Sequence, residues 1–167
     1  MNSLWNYFWP ALSAGLLAGV IAGLIGFRRR RATRNRVLAL GAAGAMALAA
    51  LWHGPLGGAA RFSASVESGA RQALEYYEMT AVTAHLQQRP LTRRLILAGP
   101  ADDFQHSELV RVMSQLPGVS RATWSRNDAG VPLLGEGLAA SLLGFLVGLL
   151  LAYLVELHRR YNSQWRW

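Results

Sequence analysis

Cysteine and lysine are both absent from these 167 residues. Without cysteine there is no disulfide, no thiolate metal ligand and no cysteine nucleophile. A domain outside the cytoplasm must then be held by its own packing. Without lysine there is no phosphate-loop lysine, Schiff base or lysine general base, and all seventeen basic residues are arginine. Charge is sparse as well, at 16% of residues against 52% hydrophobic, a balance that leans towards a membrane protein. No basic residue precedes the first apolar run, whereas a cleaved signal opens on one. That run is expected to stay in the chain as a span.

The net charge of +8 is unevenly placed. From Arg61 to Asp128 eight arginines face seven acids, so this stretch is nearly neutral. The excess sits in Arg28, Arg29, Arg30, Arg31, Arg34 and Arg36, and again in Arg159, Arg160 and Arg166. These residues flank apolar runs and do not line one face of a domain, which excludes nucleic acid as the expected partner. Short arginine-rich loops stay in the cytoplasm, and such clusters also attract anionic lipid.

Three spans are predicted. The first covers about 5–27, with Trp5, Tyr7, Phe8 and Trp9 as an aromatic belt and Pro10 in its first turns. The second covers about 37–53. It is short, rich in alanine and glycine, and stopped by Gly54-Pro55. The third covers about 133–157 and is followed by Arg159 and Arg160. Only an even number of crossings puts both arginine clusters on one side, so the second run must insert along with the third. The N-terminus is then expected in the periplasm and the C-terminus in the cytoplasm. Residues 1–55 hold two spans, 56–130 an external domain, and 131–167 the last span and a tail. That tail, Tyr161 to Trp167, is aromatic and basic, suited to anionic lipid or a partner.

The external segment reads as a small α/β domain. Val66, Ala70, Ala73, Leu74 and Tyr77 recur at helical spacing, with Glu67–Arg71 and Arg71–Glu75 pairs expected on the solvent side. Ala81 to Gln87 alternates as a strand, Gln88-Arg89-Pro90 turns, and Leu91 to Ala98 forms a second strand with Leu95 and Leu97 inward. Asp102 and Gln105 have capping-box spacing for a helix carrying Leu109, Val112, Met113 and Leu116. Val119 to Trp124 is the third strand.

This order resembles the BON domain over about residues 66–126. The resemblance rests on Leu97-Ala98-Gly99 closing the second strand and on Leu116-Pro117-Gly118-Val119 leading into the third. Gln88-Arg89-Pro90 stands where the family usually has an Asp/Asn-Gly turn. The fold class is therefore an α-helical membrane protein with three transmembrane helices plus a small α/β (αββαβ, BON-like) extramembrane domain. The resemblance implies a docking module that contacts phospholipid or other envelope components and carries no catalytic residues.

Other candidate residues follow from spacing. Gly15, Gly19 and Gly23 put three glycines on one face of the first span; Ala140, Gly144, Gly148 and Ala152 repeat the device in the third. Such faces let another backbone approach closely. The two faces can pack on each other or on a partner; three helices have limited need for so much small-residue surface, which tilts the expectation to integral membrane protein partners. His53 is a candidate axial ligand, weighed against an ordinary interfacial histidine beside Trp52. Glu156 has Arg159 and Arg160 in reach, whereas Glu136 has no partner nearby in sequence and is expected to face interfacial water. Asp102, Asp103 and Glu108 lack a nucleophile, Ser63, Ser65 and Ser68 lack a His/Asp set, and no histidine pair has metal spacing. The expectation is a non-catalytic accessory or assembly subunit of a larger bacterial inner-membrane complex, respiratory or photosynthetic. No cofactor, metal, nucleic acid or small-molecule substrate is expected. The alternative is a stand-alone envelope protein whose external domain binds phospholipid or cell-wall components. A small transporter is disfavoured by the few polar residues in the spans.

Overall fold

The first helix, α1, spans Ser3–Gly26 and is apolar along nearly its whole length. It is followed by α2 (Arg31–His53), α3 (Gly58–Tyr76), β1 (Thr83–Gln88), β2 (Leu91–Ala98), α4 (Asp103–Met113), β3 (Arg121–Thr123) and α5 (Leu133–Ser163). The structure is a computed structural model that describes residues 3–125 and 130–163. The last four residues of the aromatic tail, including Arg166, lie outside the described residues. Among the described residues, α1, α2 and α5 are long and apolar enough to cross a membrane. At about 1.5 Å per residue each exceeds the roughly 30 Å of hydrocarbon.

The third strand is shorter than the expected Val119 to Trp124, α4 ends before Leu116, and two long helices extend beyond their expected bounds. Helix α2 starts at Arg31, six residues ahead of the expected Val37. Arginine is a good helix former, so the charges do not stop the helix. Arg31, Arg34 and Arg36 therefore ride on its first turns, not in a loop. Helix α5 runs on past Leu157 through both following arginines for the same reason.

The chain divides into two units. One contains Gly57–Glu136 together with the chain's first residues through Tyr7. Its sheet has the order β1-β2-β3, with β1 and β2 antiparallel and β2 and β3 parallel. The register pairs Ala84 with Leu97, Leu86 with Leu95, and Leu95 with Ala122. Alternation then puts all five on one face. All five are buried, with Phe62, Val66, Ala70 and Leu74 of α3 and Leu109 and Met113 of α4 completing the core. Each fully buried leucine or phenylalanine contributes about 1.5–3 kcal/mol. Phe62 went unread in the sequence, while Tyr77 falls just past the helix end and is exposed.

The capping box forms as expected. The Gln105 backbone N–H donates to Asp102 Oδ1 at 2.7 Å, and the Asp102 N–H donates to Gln105 Oε1 at 3.0 Å. The two glycines in the quoted motifs are conformationally required. Gly99 and Gly118 have φ of +143° and +98°, and a Cβ on Gly118 would sit 2.9 Å from Val66 Cγ2. The turn before β2 contains a cis Arg89–Pro90 bond. The first turns of α1 belong to this unit's core. Tyr7 packs on Phe62 at 5.6 Å between ring centroids and donates its hydroxyl to the Leu133 carbonyl at 3.4 Å, while Ser3 Oγ donates to the Pro117 carbonyl at 3.0 Å.

The second unit contains Phe8–Leu56 and the chain from Gly137 onward. Here the two small-residue faces meet each other. A Cβ added at Gly15 or Gly19 would fall on the carbonyl oxygen of Ser141 or Phe145. One added at Gly144 or Gly148 would fall on the carbonyl of Leu12 or Leu16. Further along, a Cβ on Gly23 would lie 2.5 Å from Ala152 Cβ. Ala152 is buried and Ala140 half-buried. Of the two expected uses, packing on each other or on a partner, the first is found, because α1 and α5 approach backbone to backbone. Helix α2 joins through Gly41, where a Cβ would lie 2.5 Å from Ala22 Cβ and 3.1 Å from Phe145 Cε2. Ser141 Oγ donates to the Ala45 carbonyl at 3.0 Å, and Ala22, Ala45 and Phe145 form the buried centre.

Candidate functional site

In the second unit the arginine clusters converge on one acid. Glu156, on the last turns of α5, has a side chain only 16% exposed. Arg160 Nε lies 3.3 Å from one of its oxygens and Arg28 Nε 3.7 Å from the other. The Arg160 pair is the expected i,i+4 contact; Arg28 comes from the turn after α1 and could not be read from spacing. A groove of about 200 Å³ opens beside them, lined by Phe27, Arg34, Tyr153, Glu156, Leu157 and Arg160. Phe27 and Tyr153 meet edge to face at 6.0 Å. Arg29, Arg30, Arg31, Arg36 and Arg159 are exposed and do not line the groove.

Helix α2 is the least apolar and least buried of the three long helices. Ala43, Gly44, Ala47 and Ala50 fall at helical spacing on an exposed side, flanked by exposed Leu40 and Leu51. Nothing lies within 4 Å of where a Cβ on Gly44 would be. This is a small-residue face with no covering inside its unit, and the sequence reading noted only the composition. His53, near the end of α2, is half-buried.

The first unit presents two surfaces. An apolar groove of about 330 Å³ is lined by Tyr77, Met79, Phe104, Gln105, Glu108, Leu109 and Val112. Phe104 is 73% exposed and Tyr76 82%. Glu108 accepts from Arg111 Nη2 at 2.6 Å on its rim. That hydrogen bond, then the carboxylate's charge, raises the Arg111 pKa above its ordinary value. A second groove lies between α3 and β1, with Glu67, Arg71, Glu75, Thr83 and His85 beside apolar Leu74, Val82 and Ala84. Glu67 does not stay on the solvent side for Arg71. Its Oε1 accepts the Leu86 backbone N–H at 3.0 Å, and Oε2 lies 3.9 Å from His85 Nδ1. It so satisfies a donor on the free edge of β1.

Glu136 is also corrected. Arg93 Nη1 donates to Glu136 Oε2 at 3.0 Å, with both side chains about a quarter exposed, and Arg93 Nε donates to the Gly118 carbonyl at 3.1 Å. Forty-three residues separate the pair in sequence, which hid it. His106 stacks on Trp124 at 4.1 Å, and His158 contacts Asn162 at 3.0 Å. Among the described residues no group of three metal-binding side chains is gathered. No protein-family model, curated protein or solved structure matches the chain.

Proposed function

We propose that this protein is a non-catalytic accessory or assembly subunit of a larger bacterial inner-membrane complex. Its N-terminus would lie in the periplasm and its C-terminus in the cytoplasm, with the BON-like domain as a periplasmic docking module. The orientation follows from arginine bias: three crossings leave Arg28–Arg36 and Arg159–Arg160 on one side. The observation that carries the reading is the uncovered face of α2. Ala43, Gly44, Ala47 and Ala50 bring little apolar area to lipid, and they let a partner helix approach to backbone contact. With Gly15, Gly19, Gly144 and Gly148 occupied inside the chain, this face is where an integral membrane partner would dock. An energy-transducing complex, respiratory or photosynthetic, is a natural host.

The apolar groove beside Phe104 favours a second reading: a stand-alone envelope protein whose external domain binds phospholipid or cell-wall material. Exposed aromatic patches of this kind mark interaction sites. Purification of the tagged chain from native membranes in mild detergent, with mass spectrometry and an absorption spectrum, separates the two. Partners at fixed stoichiometry support the subunit reading. A chain that runs alone with bound phospholipid sinks it and promotes the second.

A further inference from the structure

We infer that the groove at the Glu156 end of α5 is a binding site for the phosphate headgroup of an anionic phospholipid. Arg34 and Arg160 line the groove beside Glu156, and Arg28 and Arg160 pair with that carboxylate. One acid leaves an excess positive charge at this spot. Glu156 orients Arg160 through a 3.3 Å contact to its Nε and draws Arg28 Nε to 3.7 Å from its other oxygen. A planar guanidinium fork matches phosphate geometry better than a point charge does.

The rest of the lining says which phosphate. Phe27, Tyr153 and Leu157 form an apolar wall beside the arginines, at the ends of helices apolar enough to span a membrane. A free phosphate ion has no use for that wall; the glycerol and first acyl carbons of a lipid do. The volume of about 200 Å³ falls below the roughly 300–1,000 Å³ of sites that enclose a whole drug-sized ligand. It suits a headgroup whose chains remain in the bilayer. Basic pockets between spans on the cytoplasmic side are a known mode of headgroup binding, distinct from diffuse attraction to an anionic surface.

The test uses the full chain in neutral detergent, titrated with phosphatidylglycerol or phosphatidylcholine and read by native mass spectrometry. Phosphatidylglycerol should bind at least tenfold tighter. R34Q and R160Q should each weaken it by about fivefold, as expected for one arginine at a membrane surface. R29Q and R36Q, which alter exposed charge outside the groove, should change it less than twofold. Equal binding of the two lipids by the unmodified chain overturns the proposal without recourse to any variant. Equal losses from all four variants also overturn it, since they indicate diffuse electrostatics. Displacement of phosphatidylglycerol by millimolar inorganic phosphate makes the site one for free anion, and overturns the lipid assignment.

Discussion

Substituting Gly148 by alanine tests the backbone contact between α1 and α5. In an isolated helix this change is favourable by about 0.8–1 kcal/mol, because alanine loses less backbone entropy. Here the new methyl would fall on the Leu16 carbonyl, 2.8 Å from Val20 N and 3.0 Å from Gly19 Cα. All three neighbours are backbone atoms, so no side-chain rotation relieves the clash. Bringing Val20 N to an ordinary 3.4 Å takes about 0.6 Å, and clearing the nearer Leu16 oxygen requires the helices to part further still. That motion also loosens the contacts at Gly15, Gly19 and Gly144, which lie on the same seam. Overpacking costs about 1–3 kcal/mol, and a purely backbone clash belongs near the top of that range. After subtracting the propensity gain, a net loss of about 2 kcal/mol is expected. Gly44→Ala is the control, because nothing lies within 4 Å of its Cβ position and only the propensity gain remains. The two variants should thus differ by about 3 kcal/mol, with opposite signs relative to the parent. Unfolding in mixed micelles by SDS titration, followed by tryptophan fluorescence, measures both. A Gly148→Ala protein as stable as Gly44→Ala would refute the seam.

Arg93→Ala and Glu136→Ala should each lower the thermal stability of the solubilised protein. A double-mutant cycle should return a coupling of about 1–2 kcal/mol, fitting a partly buried, charge-assisted hydrogen bond; strict additivity would mean that the 3.0 Å contact contributes nothing. Orientation can be checked against a background without native cysteine. A cysteine at exposed Ser107 should react with a membrane-impermeant maleimide from the periplasmic side, and one at exposed Thr33 should react only after lysis. The reverse pattern would invert the proposed topology.

The first and third long helices were legible because a run of twenty apolar residues needs no tertiary context to be recognised, and the shorter second run was counted from the side on which the arginines must lie. The order of elements in the α/β unit was legible for a related reason. Val82, Ala84 and Leu86 alternate at period two, and Asp102 with Gln105 announces a helix within four residues. These signals are local. The start of α2 was misjudged because arginine is read as a span boundary although it is helix-compatible. The solvent-side assignment of Glu67 failed because a partner at i,i+4 is visible in sequence, whereas the Leu86 N–H, nineteen residues away, is not. Tyr7 on Phe62 escaped likewise: an aromatic at the head of a span reads as an interfacial belt.

By itself, then, the sequence determined how many helices can cross a membrane, where the arginines fall, and that no cysteine or lysine chemistry is available. It also marked Gly15, Gly19, Gly144 and Gly148 as places where a backbone can come close. Which backbone comes close was decided only by the tertiary structure, which sets α1 on α5 and leaves a different face, on α2, uncovered. The same holds for the arginines, since only folding brings Arg28 and Arg160 to one carboxylate and Arg34 to the adjoining groove. Periodicity states which residues share a face of one element. The partner of that face depends on how distant segments pack, and no local pattern encodes it.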